Sequence, residues 1–447
     1  MFSRVLVANR GEIAVRVIRA LHELGVEAVA IYSTADAGAQ HVRIADHAIC
    51  VGPPSASESY LQIPSVVAAA VTAGCQAVHP GYGFLSENPL FVEACVENDL
   101  VFVGPPADVM ATMGDKISAK RAMRAADVPT VPGTEGETTV SEARLAADEM
   151  GYPILLKASA GGGGKGMRLV HEPGEIEDAF GAASAEAQAA FGDARLYVEK
   201  ALSPARHVEI QVLCDHHGNV LTLGERECSI QRRHQKLIEE SPSVALTPEA
   251  REAMEAAAER ACRAVGYRNA GTFEFLLGPD GSFYFIELNA RLQVEHPVTE
   301  LCTGIDIVRE QLRVASGERL AVTGRAPRRG HAIEIRLNAE DPEHDFRPSP
   351  GVVSRFDVAQ GPGVRVDTFV DSGSTIPPYY DSMIAKLIVW DADRPSAIAR
   401  AERALSETII EGVPTTRDLA RMVLASEPFV SGDYSTSTLD HLRRVTA

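Results

Sequence analysis

The chain has 447 residues, 45% of them hydrophobic and 23% charged, with a formal net charge of −18. That length calls for two or three packed domains, and the acidic balance speaks against a nucleic-acid or anionic-membrane surface, so an anionic ligand must meet a local cluster of cations. Seven scattered cysteines with no C-x-x-C pair form neither a disulfide framework nor a zinc knuckle, and no run is apolar enough to span a membrane; the expected compartment is cytoplasmic.

Residues 4–8 read as a strand. Ile13, Val17, Leu21 and Leu24 then recur at helical spacing up to Gly25, and 26–32 closes a βαβ unit. The pattern repeats with a helix over 63–71, a strand over 77–79, a helix started by Asn88-Pro89 and a strand over 100–103. A parallel, helix-covered sheet follows for roughly the first 110 residues. The first turn, Asn9-Arg10-Gly11-Glu12, lacks the three-glycine dinucleotide fingerprint and reads equally as an anion-holding helix start or a structural turn. A helix over 116–126 leads past Pro129 and Pro132 into a smaller unit. Its parts are strands 154–157, 167–170 and 196–199 and a long alanine-rich helix. Antiparallel runs begin at His207 and Val220, a helix starts at Thr247-Pro248 and ends near Gly266, and a hairpin spans 271–289. A helix near 304–316 and the alternation Ile333-Glu334-Ile335-Arg336-Leu337-Asn338 follow.

The chemistry-bearing residues cluster. Gly161-Gly162-Gly163-Gly164-Lys165-Gly166 lies between two strands, where bare backbone N–H groups can approach an anion. It is not a Walker A loop, because Gly166 rather than Ser or Thr follows the lysine. A flexible hairpin is the plain alternative, and the flanking Lys157 and Lys165 favour polyphosphate. With Asp280-Gly281 as a two-residue turn, Glu274 falls opposite Glu287, their Cβ atoms ~5 Å apart. Two such carboxylates, with Asn289 two residues on, suit a Mg²⁺ ion on phosphates. From Glu287 to Glu295 strand-like alternation places Glu287, Asn289, Arg291, Gln293 and Glu295 on one face, with Glu295 near the mouth of a charged cleft as a candidate base. Arg232, Arg233, His234 and Lys236 read as the local cation patch that an acidic chain needs, with a plain surface charge run as the alternative. His207 reads equally as a ligand or a satisfied strand histidine. Residue chemistry thus gives an ATP·Mg enzyme with an anionic second substrate.

These blocks, in this order, resemble the ATP-grasp biotin carboxylases along the whole chain. Val7–Ala14 and His79–Phe84 resemble that family's N-terminal domain, 161–166, 231–236, 271–274 and 287–297 its ATP-grasp domain, and 333–340 and 380–386 its C-terminal domain. The resemblance implies an α/β and α+β protein: a Rossmann-like parallel βαβ domain (1–113), an ATP-grasp domain (114–317) with a mobile lid (about 132–202), and a mostly β C-terminal domain (331–441). It implies that Lys116 and Lys157 meet ATP phosphates under a lid containing Gly162, Gly163, Gly164, Lys165 and Gly166. Glu199, Lys200 and Leu202 would flank adenine, and His207, Gln231 and His234 the ribose and cleft. Glu274 and Glu287, with Asn289 close by, would hold two Mg²⁺ (or Mn²⁺) ions with ATP. Lys236, Arg291, Gln293 and Val294 would surround bicarbonate, Glu295 would take its proton, and Arg336 would stabilise the charge developing on the biotin ureido oxygen.

The implied activity is ATP-dependent carboxylation of biotin through carboxyphosphate, the first half-reaction of acetyl-CoA or a related acyl-CoA carboxylase, feeding fatty acid synthesis. The sequence contains no Met-Lys-Met biotinylation site, so a separate biotin carboxyl carrier protein and a carboxyltransferase are expected partners, and the resemblance adds a homodimer. Two rivals share parts of this pattern. Another ATP-grasp ligase, capturing its acyl phosphate with an amine, would use the same metal pair but not Arg336 and the 380–386 block. A non-catalytic nucleotide sensor would have lost Glu295, Arg291 or Arg336, and all three are present.

Overall fold

The computed structural model describes residues 1–160 and 166–446. Strands β1 (Arg4–Val7), β2 (Glu27–Ser33), β3 (His47–Gly52), β4 (Ala77–His79) and β5 (Val101–Phe102) form a parallel sheet in the order β3-β2-β1-β4-β5. Val5, Leu6, Val7, Ala77 and Val78 are wholly buried, as a sheet covered on both faces requires. The expected helix start at Asn88-Pro89 is present: the Asn88 side chain accepts from the N–H groups of Leu90 and Phe91, and Pro89 takes the first turn.

Helix Lys116–Ala125, capped by Asp115, leads into a small antiparallel sheet. It is made of β6 (Ile154–Ala158), β7 (Met167–Val170) and β8 (Leu196–Lys200), in the order β7-β6-β8. Helices Val140–Met150 and Ile176–Phe191 cover it around Ile154, Leu156, Val170 and Val198.

Beyond this unit one large, mostly antiparallel sheet organises the chain. Its main strands are β9 (Arg206–Cys214), β10 (Val220–Arg232), β11 (Gln235–Ser241), β12 (Asn269–Leu277), β13 (Phe283–Asn289), β14 (His331–Asn338), β15 (Val364–Thr368) and β16 (Met383–Asp391), with the short strand Gly324–Arg325 parallel to β10 off the main path. They lie in the order β13-β12-β9-β10-β11-β14-β16-β15. The C-terminal strands therefore extend the same sheet that carries the two paired glutamates. At the β11–β14 seam Glu239 stands opposite Glu334.

Glu274 does pair with Glu287, by a different route from a two-residue turn. Leu277 pairs with Phe283, and a register shift between Phe275 and Glu274 restores the parity. The Gly278 N–H donates to the Ser282 carbonyl at 2.8 Å and closes a loop of three residues. The alternation expected to run to Glu295 stops earlier: β13 ends at Asn289, and helix His296–Thr303 begins just after Glu295. Pro297 in that helix's first turn cannot donate to a ladder. The wholly buried Lys386 ammonium, 2.8 Å from the Val294 carbonyl, fixes the connecting loop instead.

Candidate active site

A cavity of about 990 Å³ lies where the three sheets meet. Its walls include Lys116, Lys157, Glu199, Lys200, Leu202, His207, Gln231 and His234 on one part, and Lys236, Glu274, Glu287, Asn289, Arg291, Gln293, Val294 and Arg336 on another. Residues more than two hundred positions apart thus reach one space. Of the glycine loop, Gly162, Gly163, Gly164 and Lys165 lie outside the described residues. Gly166 ends the loop with a positive φ of 66° against Ala158, and is not among the cavity walls.

The second part is a lattice of charges. The Lys236 ammonium donates to Glu209 at 2.6 Å, to Glu274 at 2.9 Å and to Glu295 at 2.5 Å. Arg336 donates from Nε to Glu239 at 2.6 Å and from a terminal nitrogen to Glu295 at 2.8 Å. Glu295 therefore has one oxygen on a lysine and the other on an arginine. It is wholly buried behind these two groups rather than placed at the mouth of the cleft. Burial alone would raise its carboxyl, but Lys236, Arg336 and Arg226 outweigh that and hold it well below the usual carboxylate range. Arg291 is braced by Glu87 at 2.8 Å, Asn289 at 2.8 Å and Gln293 at 3.1 Å. The amides of Asn289 and Gln293 donate to Glu274 at 2.9 and 3.1 Å.

Glu287 is different. Among the described residues its carboxylate has no hydrogen-bond donor, although it faces the cavity opposite Glu274. Burial and the Glu274 charge raise its pKa, with Lys116 and Lys157 only partly offsetting them. An unpaired carboxylate beside a second one fits a divalent cation bound together with phosphates. His207, Glu209 and Glu274 also offer ligand atoms within 4.8 Å of one another, but there Lys236 already fills the cation's place. His207 Nε2 is 3.0 Å from Glu274, which makes it a brace for the pair.

Two parts of the cation patch are corrected by the fold. Arg232 and Arg233 turn away from the cavity to Asp345, at 2.5 and 3.4 Å. Residues at positive φ, Arg233 and His234, make the β10–β11 turn, and only Gln231, His234 and Lys236 of that basic stretch look inward beside Gln235. The Lys200 ammonium is committed to the carbonyls of Gly151 and Tyr152 at 2.9 and 3.2 Å. In the Asn9–Glu12 turn, Arg10 is clasped by Asp36 at 2.6 and 2.8 Å, and Glu12 accepts from Tyr82 and lies 3.2 Å from Lys386. The turn lines the cavity and ties the first sheet to the last strands.

Several supporting groups escape a reading of the sequence alone: Glu209, Glu239, Glu87, Lys120 and Arg226. The wholly buried Arg226 donates to Glu209 at 2.5 Å, Gln211 at 2.8 Å, Thr299 at 3.0 Å and Thr272 at 3.1 Å. The alternation His207-Val208-Glu209-Ile210-Gln211 is the available signal for this layer. Arg226→Met should destabilise the fold by about 3–5 kcal/mol, because Glu209 stays buried with one cation fewer. A urea midpoint equal to that of the parent protein would contradict this.

Residues 115–323 match the family model described as the ATP-binding domain of the carbamoyl-phosphate synthase L chain, which defines the class as ATP-binding. Residues 1–110 and 334–441 match the biotin carboxylase N-terminal and C-terminal domains. A biotin carboxylase of Nostoc sp. is 52% identical over 99% of this chain and 100% of its own length. One of the pyruvate carboxylase subunits of Methanothermobacter thermautotrophicus is also 52% identical, over 99% of this chain and 91% of its own. The biotin carboxylase domain dimer of Hydrogenobacter thermophilus 2-oxoglutarate carboxylase, solved with MgADP, ADP and bicarbonate, superposes with a TM-score of 0.96. It is 47% identical over 100% of this chain and 99% of that one. The chain belongs to the biotin carboxylase family of ligases.

Proposed function

We propose that this chain uses ATP and bicarbonate to carboxylate biotin held by a separate carrier protein. The carrying observation is Glu295, ionised and buried, shared between Lys236 and Arg336, which screen it from a cavity that Lys116, Lys157, Glu274 and Glu287 also line. Lys116 and Lys157 would face the ATP phosphates, and Gly162–Gly166 would close over them. Glu199, Lys200 and Leu202 would flank adenine, and Gln231, His234 and His207 the ribose side. Glu274 and Glu287, beside Asn289, would hold Mg²⁺ or Mn²⁺, two ions with ATP. When bound, these supply charge neutralisation on the transferring phosphoryl oxygens. Glu287→Gln should raise the Mg²⁺ concentration for half-maximal ATP cleavage by about 10–100-fold. An unchanged Mg²⁺ titration would contradict the metal role.

Bicarbonate would sit against Lys236, Arg291, Gln293 and Val294. As an anion it competes with Glu295 for Lys236 and Arg336, which frees a carboxylate oxygen and restores its basicity at the moment it is needed. Glu295 takes the bicarbonate proton while a bicarbonate oxygen attacks the γ-phosphorus. The bond to the ADP oxygen breaks and carboxyphosphate forms. Cleavage of its C–O bond gives CO₂ and phosphate, phosphate accepts the N1′ proton of biotin, and N1′ attacks CO₂. Arg336 stabilises the ureido oxygen as it gains charge. Water must be kept from carboxyphosphate, which gives a closing glycine loop its purpose.

The amine-capturing ligase reading shares the central ATP-binding segment. It gives no use to the contact of Glu295 with Arg336, which depends on β14 joining β11. Transfer of radiolabel from bicarbonate into free biotin, dependent on Mg·ATP, tests the proposal. Labelling of an added amine in place of biotin would overturn it.

We further propose a homodimer in a reducing, cytoplasmic compartment, in keeping with seven unpaired thiols, with the carrier and the carboxyltransferase on other chains. For the final acceptor we favour acetyl-CoA or a related acyl-CoA, feeding fatty acid synthesis. The M. thermautotrophicus relative sets pyruvate beside it. A reconstituted assay with the carrier and the carboxyltransferase distinguishes them, since malonyl-CoA marks the first and oxaloacetate the second.

A further inference from the structure

The chain passes between the small sheet and the large-sheet body twice, and the two crossings pair with each other. The Lys200 N–H donates to the Pro132 carbonyl at 2.8 Å, and the Thr134 N–H to the Val198 carbonyl at 2.9 Å. A Cβ on Gly133 would stand 2.1 Å from the Val198 oxygen, so the crossings touch backbone to backbone. Lys120, on helix Lys116–Ala125 of the body, reaches both. Its ammonium is 3.2 Å from the Val131 carbonyl and 2.8 Å from Glu199 Oε1. The other oxygen of Glu199 accepts from Lys157 at 2.9 Å. Both ammonium groups also lie over the Tyr197 ring, at 5.2 and 5.8 Å from its centroid. Glu199 is 3% exposed and Lys120 5%. Lys157 alone of the two lysines lines the cavity.

We propose that Lys120 is a positioning residue for nucleotide phosphate binding: it remains as the counter-ion of Glu199 when Lys157 is drawn toward polyphosphate. This rests on the reading above that Lys157 meets ATP phosphates. A buried carboxylate deprived of its cation is costly. With two lysines on Glu199, one can be given to the ligand while the other keeps the charge compensated. Burial would raise the Glu199 carboxyl, but Lys157 and Lys120 bring it below its usual range, so it stays ionised in this pairing. Without Lys120, Glu199 would compete with the phosphates for Lys157.

The test is the ratio of ATP to adenosine affinity, which cancels contacts to the base and ribose, measured by calorimetry on the full chain. Lys157→Met should lower the ratio about tenfold or more, and Lys120→Met should do likewise with Lys157 intact. Adding Glu199→Gln to Lys120→Met should bring the ratio back to within about threefold of the parent, since a neutral amide needs no counter-ion. An unchanged ratio in Lys120→Met, with Lys157→Met impaired, overturns the proposal and leaves the phosphate reading standing. An unchanged ratio in Lys157→Met overturns both. If Lys120→Met alone does not fold, the double variant is compared with Glu199→Gln. Equal ratios support the relay, and a lower ratio in the double variant overturns it.

Discussion

Glu295→Gln is expected to lower biotin-dependent turnover by about 10²–10⁴-fold while ATP binding stays nearly intact. The carboxylate holds Lys236 at 2.5 Å and Arg336 at 2.8 Å. A carboxamide must turn its NH₂ toward one of these two donors, so the substitution removes the base and also leaves a cation facing another donor. Both losses fall where bicarbonate is deprotonated. The phosphate-facing lysines, Lys116 and Lys157, have no hydrogen bond to Glu295 and should keep their hold on ATP. Steady-state rates with saturating ATP, paired with calorimetric ATP binding, check this. A collapse of ATP affinity would mean that Glu295 serves the nucleotide instead.

Arg336→Ala is the second large effect, expected at about 10²–10³-fold in biotin carboxylation, the usual cost of one lost donor to a developing oxyanion. Arg336 also compensates Glu239, whose carboxyl is raised to about 7 by burial, with the arginine pulling it down and Glu295 pushing it up. Removing the guanidinium leaves Glu239 and Glu295 side by side without their shared cation, so Glu239 should take up a proton more readily. The expected signature is a split. Biotin-dependent turnover falls steeply, and bicarbonate-dependent ADP release without biotin falls less. Equal losses in both assays would show that Arg336 acts before biotin enters.

Much of this site is legible in the sequence because its residues sit in strands, where side-chain period and pairing are simple. The hairpin sequence places Glu274 and Glu287 opposite each other, and they are opposite. A two-residue turn is one residue too short, and a bulge near Ile286 supplies the correction, which single-sequence counting has no means to see. The stretch from Ala290 to Glu295 reads as a strand and is a loop. Its shape is imposed by Lys386, nearly a hundred positions away, and by the helix that begins at His296. The basic run at 232–236 shows the complementary error: composition gives a patch, but positive-φ residues at the turn send Arg232 and Arg233 outward to Asp345.

The groups that local pattern misses are partners rather than ligand contacts. Glu209, Glu239, Lys120 and Arg226 are buried charges whose meaning lies in what faces them in the folded chain. Helix Val140–Met150 also goes unread, although Thr139 and Glu142 form a reciprocal capping box. The meeting of Glu295 with Arg336 depends on the β11–β14 seam, a tertiary pairing about a hundred residues apart in sequence. Local pattern supplies the residue types, and long-range pairing makes them a site.

The most direct test of the account is ADP release by the purified chain with Mg·ATP, measured with bicarbonate, with free biotin, with both and with neither. The account predicts stimulation that requires bicarbonate and rises further with biotin. Turnover indifferent to biotin, but increased by an amine or another acid, would contradict it.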